Sequence, residues 1–297
     1  MDSGQKHAGM TWGFREFGII ARACSPPGGT VPANPTAAEL LATVEASPRA
    51  VGAHDKAAWV GLFAENGSVE DPVGSRPHVG RAAIERFYET FIAPNGIVFD
   101  VTNDVVCGMT VFRDLSIATT MSTGVTLHVP MHLRYDLEDV DGTLKIRALR
   151  AHWELAGMIG QLLGSGTQGL LAGAKLGPQL LGNQGVGGAI GFMSGLRGVG
   201  KPGKAAAGRL LDALGRGDSA AARAALVPVP RLEWGTDGAM SLEDFATRVK
   251  GLRWSKALAA GRTVTATVDT RQGSGIAELD FTAGLRIESA RIFVQAS

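Results

Sequence analysis

The sequence predicts an α+β fold, and predicts it twice along one chain. Three observations lead there. Apolar residues recur at helical spacing over residues 35–65 and 80–92, then alternate one by one over residues 98–155. A Gly-rich apolar stretch, residues 156–200, interrupts the pattern. A shorter helix-then-strand order returns over residues 201–297. The expected organisation is an irregular tail at 1–34, an α+β domain at 35–155, a linker or lid of short helices at 156–200, and a degenerate second domain at 201–297.

The elements follow in order. Ser25-Pro26-Pro27-Gly28-Gly29, with Pro32 and Pro35, excludes helix and central strand from much of the tail, leaving one short helix at Phe14 to Ala23. Ala38, Leu41 and Val44, then Ala57, Val60 and Leu62-Phe63, mark helices, with breaks expected near Ser47-Pro48 and Gly52. Ile84, Phe87, Tyr88 and Phe91 share one face of a third helix. Strands are expected at 98–102, 105–112 and 115–121. From Leu127 to Leu137 the chain alternates: Val129, Met131, Leu133 and Tyr135 lie on one face, His128, His132, Arg134 and Asp136 on the other. Asp141-Gly142 predicts a hairpin turn, and 144–155 the last strand.

Composition narrows the function. The net charge is +1, which gives no reason to expect nucleic acid as partner. Cys24 and Cys107 are far apart and form no metal or redox motif, and no metal or cofactor is expected. Two lone thiols and no apolar leader fit a reducing, cytoplasmic setting. Gly stands at 41 residues, about twice ordinary usage. Between 156 and 200 small residues recur in steps of four, notably Gly169, Gly173 and Gly177. Such a strip allows another backbone to come close. No window there is apolar enough to span a bilayer. Leu170, Leu171, Leu180 and Leu181 are expected to cover apolar surface. The options, in order, are covering a pocket mouth, contacting a second subunit as a homodimer, and touching a membrane surface peripherally.

The second half shows a faint internal echo. Gly217-Asp218-Ser219-Ala220-Ala221 matches His54-Asp55-Lys56-Ala57-Ala58, and Leu232-Glu233-Trp234 matches Val69-Glu70-Asp71 at the same spacing. Ser241 and Asp244 predict a helix cap. Three strand-like runs follow, at 263–270, 275–281 and 285–294.

Residues 69–75 read Val-Glu-Asp-Pro-Val-Gly-Ser, followed by Pro77, Gly80, Ala83-Ile84 and Phe87-Tyr88. This spacing resembles the ketosteroid isomerases and SnoaL-like proteins of the nuclear transport factor 2-like superfamily, over residues 36–155. The resemblance implies a cone-shaped domain with three helices packed on a curved antiparallel sheet, here in tandem. It implies that Asp71 is a catalytic base beside an apolar cup, and that Phe87 and Tyr88 match the family's Phe-Tyr pair. Other positions depart from the family. Counted without gaps, the family's oxyanion Tyr falls on Ser47 and its protonated Asp on His132. Trp234 takes the place of Asp71 in the second half.

The resulting expectation is a cofactor-free isomerase that transfers a proton beside the carbonyl of a small hydrophobic molecule. Asp71 is its base, with His132 and Tyr88 as hydrogen-bond donors. Phe87, Arg134, Arg150 and His152 would contact the substrate. Two alternatives stay open: a dehydratase or polyketide cyclase-like enzyme using Asp71, His132 and His152, and a non-catalytic ligand-binding or assembly protein.

Overall fold

The computed structural model describes residues 35–295. The tail at 1–34, with its short helix and Cys24, lies outside the described residues. So do the side chains of 168, 170, 172, 173, 175, 176, 179–181 and 184.

The first element, α1 (Ala37–Gly52), starts at Thr36, whose hydroxyl and backbone N–H exchange bonds with Glu39 in a capping box. The expected break at Ser47-Pro48 is absent, and Pro48 sits inside the helix. Ser47 is buried and its hydroxyl accepts the Trp59 indole N–H at 3.0 Å, so packing holds a turn that proline weakens. Asp55 caps α2 (Lys56–Gly61) by accepting from the Ala58 N–H. Then come β1 (Phe63–Glu70), β2 (His78–Val79) and α3 (Arg81–Phe87), which runs on into a π-helical turn, Tyr88–Ile92. Four long strands follow: β3 (Gly96–Cys107), β4 (Thr110–Thr120), β5 (Thr126–Val140) and β6 (Thr143–His152). Asp141 and Gly142 both take positive φ in the β5–β6 hairpin, as the Asp-Gly pair predicts. The sheet order is β2-β1-β6-β5-β4-β3, with β1 parallel to β6 and the other pairs antiparallel. Leu40, Val44, Trp59, Ile84 and Phe87 from the helices join Leu115, Leu133, Tyr135 and Leu149 from the sheet in one core.

The Gly-rich segment forms α4 (Leu155–Gly164), α5 (Gly166–Met193) and a 3₁₀ turn, Ser194–Leu196. Gly185, at φ 67 and ψ 177, interrupts α5. Among the described residues no helix is long and apolar enough to cross a membrane. The expected glycine strip holds at one end only. A Cβ on Gly169 would sit 1.8 Å from the Leu162 carbonyl oxygen, whereas one on Gly177 would meet open space. Gly173, Leu170, Leu180 and Leu181 fall outside the described side chains, and Leu171 is exposed rather than covering anything.

The second half contains α6 (Gly200–Arg216), α7 (Ser219–Ala225), β7 (Leu226–Trp234), α8 (Leu242–Arg248), β8 (Arg253–Ala260), β9 (Thr263–Thr270), β10 (Gly273–Phe281) and β11 (Ile287–Val294). Ser241 caps α8 by accepting from the Asp244 N–H. The periodicity reading missed α6 and β8. Glycines dilute the pattern of α6, yet they are needed: a Cβ on Gly208 would meet the Trp254 ring at 2.8 Å, and one on Gly215 the Leu252 carbonyl oxygen at 2.5 Å. The strand order is β7-β11-β10-β9-β8, with β7 parallel to β11. It repeats the order β1-β6-β5-β4-β3 of the first sheet.

The two sheets meet along the polar face of β4 and β5. Asp114 accepts from Lys256 Nζ and from the Thr267 hydroxyl. The same ammonium donates to the carbonyls of Leu115 at 2.6 Å and Met131 at 3.1 Å. Burial by itself would raise the Asp114 pKa. The His132 ring beside it, with Nε2 3.7 Å away, and hydrogen bonds from Lys256 and Thr267 outweigh it and hold the carboxyl well below the usual carboxylate range. Arg134 reaches Glu278 of β10 and Asp136 of its own strand, and its guanidinium lies 5.1 Å from the Phe293 ring. Removing one partner of a buried pair strands the other charge. Lys256→Met is therefore expected to cost about 3 kcal/mol of unfolding free energy in denaturant titration at neutral pH. A loss below about 0.5 kcal/mol, the size of an exposed pair, would show that Lys256 does not hold the two sheets together.

Candidate functional site

A cavity of about 160 Å³ lies between the first sheet and the helices that cover it. Its wall comes from the inward face of each strand. β5 contributes Val129, Met131, Leu133 and Tyr135, β6 contributes Leu149, and β3 and β4 contribute Ile97, Phe99 and Ile117. Trp59 and Phe87 close the helical side, and Met158, Leu162 and Phe192 from α4 and α5 form a roof. Phe192 stacks on Phe91 with ring centroids 5.3 Å apart. An apolar void of about 150 Å³ is enough for a benzene-sized ligand. A ligand with several rings therefore requires the roof to shift.

Asp71 is the carboxylate in this wall. It follows β1 directly, and the Asp71–Pro72 peptide is cis. The loop behind it is pinned at several points. Val73 N–H donates to Ala151 O at 2.9 Å, and Gly74 N–H to Glu70 Oε1 at 2.8 Å. Ser194 Oγ donates to Gly74 O at 2.9 Å. Gly74 also abuts Gly261 of the second half, where an added Cβ would come within 2.4 Å of backbone, so only glycine fits. The Asp71 carboxylate accepts the indole N–H of Trp153 at 2.5 Å. Burial raises the Asp71 pKa and the Trp153 bond pulls it partway back, which leaves it at about 6.

Tyr135 is fully buried and lines the same cavity. Burial raises its pKa, against a hydrogen bond with Ser47 that lowers it. Its phenol therefore stays protonated and able to donate. Ser47 lies in the cavity wall too.

The structure divides the expected site residues. Asp71 and Phe87 reach the cavity together. Tyr88 does not. It is buried beside Trp59, at a ring distance of 5.7 Å, and its hydroxyl has no hydrogen-bond partner among the described residues. His132, Arg134, Arg150 and His152 also do not. They project from the opposite face of β5 and β6, toward the second sheet. His132 Nε2 lies 3.1 Å from the Thr267 hydroxyl, and Nδ1 lies 2.8 Å from that of Thr265. Burial, opposed by Asp114, lowers the His132 pKa, so its ring is neutral. Thr267 donates to Asp114, which leaves its oxygen to accept from Nε2–H, while Nδ1 accepts from Thr265. His152 is buried, 3.6 Å from Glu278, and among the described residues neither ring nitrogen has a hydrogen-bond partner. Burial, and then the neighbouring His132, Arg134 and Arg150, put its pKa well below the ordinary value. Arg150 pairs with Asp136. The constellation of Asp71, His132 and His152 therefore does not form.

The reason for the error is strand parity. A one-residue change in alignment moves a whole strand's set of side chains to the other face. Gap-free counting from Asp71 chose the wrong set. The apolar alternation had already marked the right one: Tyr135 shares a face with Met131 and Leu133. Trp153 follows Leu149 and Ala151 at period two, the parity of the inward face, and could have been found the same way.

Residues 44–145 match the family of SnoaL-like domains, so this part of the chain is a SnoaL-like domain with the nuclear transport factor 2-like α+β fold. Similar solved structures include a Delta 5-3-ketosteroid isomerase from a Mycobacterium species, 27% identical, covering 40% of this chain and 96% of that one at a TM-score of 0.37. Another is a Mycobacterium tuberculosis protein in complex with estradiol-17β-hemisuccinate, 24% identical, covering 40% and 95% at 0.37. A third is the epoxide hydrolase/cyclase-like enzyme SalBIII, associated with pyran ring formation in the polyether salinomycin, 22% identical, covering 40% and 94% at 0.37.

The raised Asp71 pKa has a thermodynamic consequence. The folded chain holds this proton more tightly than the unfolded chain, where the pKa is near 3.8. Stability from this site is complete below 3.8 and is lost as pH rises through about 6. Asp71→Asn should thus stabilise the protein at pH 8 by on the order of 2–3 kcal/mol, with the gain fading to nothing near pH 4. Thermal melts of parent and variant across pH measure this. Parallel curves at all pH values would show that Asp71 titrates normally.

Proposed function

We propose that the cavity is the active site of a cofactor-free acid–base enzyme that moves a proton between two carbons of a small hydrophobic carbonyl compound. The observation that carries this reading is Asp71: a carboxylate in a largely apolar wall, poised near pH 6. A general base works best when its pKa lies near the working pH. In the first step the Asp71 carboxylate removes a proton from the carbon beside the carbonyl, and the electron pair moves onto oxygen as a dienolate. Tyr135 donates a hydrogen bond to that oxygen. In the second step the Asp71 carboxylic acid returns the proton to the γ-carbon, restoring the carbonyl and the carboxylate. The Trp153 indole N–H positions the base. This role for Tyr135 replaces those first expected of His132 and Tyr88.

The cavity volume favours a single-ring substrate over a four-ring steroid. The second half is proposed to be a degenerate copy of the same fold, supported by its strand order and by the parallel pairing of its first and last strands. Trp234, at the place of Asp71, is buried in the core of that half. A second reading, ligand binding without catalysis, is favoured by Ser47 at the position where the family's oxyanion Tyr falls.

The test uses a monocyclic β,γ-unsaturated ketone, followed by absorbance of the conjugated product. Asp71→Asn should lower kcat by roughly 10²–10⁴-fold, and Tyr135→Phe by about 10²-fold. In the parent, kcat/KM should rise with pH and level off above about 6. Equal turnover in parent and Asp71→Asn, both folded, would sink the enzymatic reading. Tight ligand binding with no turnover in either protein would favour the second.

A further inference from the structure

The outer surface of the cavity roof is unlike the rest of the molecule. Leu163, Leu171, Val186, Ile190, Met193 and Leu196 are all exposed there, Val186 and Ile190 at 67% each. Val186, Ile190 and Met193 stand at i, i+4 and i+7, so they share one helical face. Phe192 turns inward and reaches the cavity, and Gly191 borders the exposed Arg76 side chain, which a Cβ there would meet at 2.7 Å. The segment is thus two-sided, with one side roofing the cavity and the other apolar and open.

Its charge is also one-sided. From Leu155 to Leu211 the sequence holds Lys175, Arg197, Lys201, Lys204 and Arg209, and no acidic residue. Arg197 and Lys201 are exposed next to Leu196, and Arg76 is exposed against Gly187 and Gly191. Arg76, Arg197 and Lys201 make no ion pair among the described residues. Soluble surfaces rarely leave such an apolar stripe uncovered. Apolar residues flanked by cations, on a stretch of chain without an acidic residue, complement an anionic lipid interface. Among the described residues no helix can span a bilayer, so the contact lies in the interface plane.

We propose that this face of α4 and α5 docks on the surface of an anionic lipid bilayer. Val186, Ile190, Met193 and Leu196 enter the interface, and Arg76, Arg197 and Lys201 meet lipid phosphates. The proposal does not depend on the chemistry at Asp71.

Flotation of the full chain with phosphatidylcholine vesicles, with and without phosphatidylglycerol, tests it. The protein should float with the mixed vesicles at low salt and much less with phosphatidylcholine alone. Val186→Asp combined with Ile190→Asp should abolish flotation while leaving the thermal melt unchanged. Arg76→Gln, Arg197→Gln and Lys201→Gln should each weaken partitioning by about fivefold. Asp71→Asn should float like the parent, which separates this result from any failure of the catalytic reading. No flotation at low salt would overturn the proposal, as would flotation unaffected by the double substitution or by all three cation substitutions. A dimer in analytical ultracentrifugation that the double substitution dissolves would also overturn it, by making a second copy the occupant of this face.

Discussion

A buried polar layer between the two sheets is the constraint around which the molecule is organised. The first sheet has two faces of opposite character. One is apolar and forms the cavity wall. The other carries Asp114, His132, Arg134, Asp136 and His152, all buried. Burying charges without partners is expensive. The second half supplies what this face needs: Thr265, Thr267, Lys256 and Glu278. A small apolar cluster, Phe112 with Ile276 and Phe293, fills the space beside the pairs. The second half thus need not carry any chemistry of its own to be required by the first.

The same arrangement reaches the cavity through the backbone. The loop after Asp71 carries Gly74, which touches Gly261 at the β8–β9 turn. Val199 N–H donates to Gly261 O at 2.9 Å, so the start of α6 is tied to that turn as well. A Cβ on Gly198 would lie 2.2 Å from the same oxygen. Three stretches of chain therefore meet where only glycines can approach. This junction sets the position of Asp71 relative to Trp153 and to the roof. The loop that holds Asp71 is packed by both halves of the sequence.

The glycine content has more than one physical cause. Some glycines allow close approach, as Gly74, Gly208 and Gly261 do. Others, such as Gly177, border open space and serve no packing purpose that the structure shows. The roof that these residues build is apolar on both sides. Its inner side closes a largely apolar cavity, and its outer side stays uncovered by the described residues.

Local sequence determined much of this protein. The helix cap at Ser241, the Asp141-Gly142 turn and the period-two face of Leu127 to Leu137 are short-range features, readable because the interactions span a few residues. Asp71 was legible for the same reason, within a compact motif. Which face of a strand looks into a cavity is not a short-range property. His132 and His152 look catalytic in sequence because nothing nearby shows that Thr265, Thr267 and Glu278, more than a hundred residues away, will cover them. Tyr135 and Trp153 look like ordinary core aromatics until the sheet curves and brings them to Asp71. Tertiary structure made that assignment, because the sheet must bury its apolar face under the helices and can bury its charged face only against a partner with matching groups.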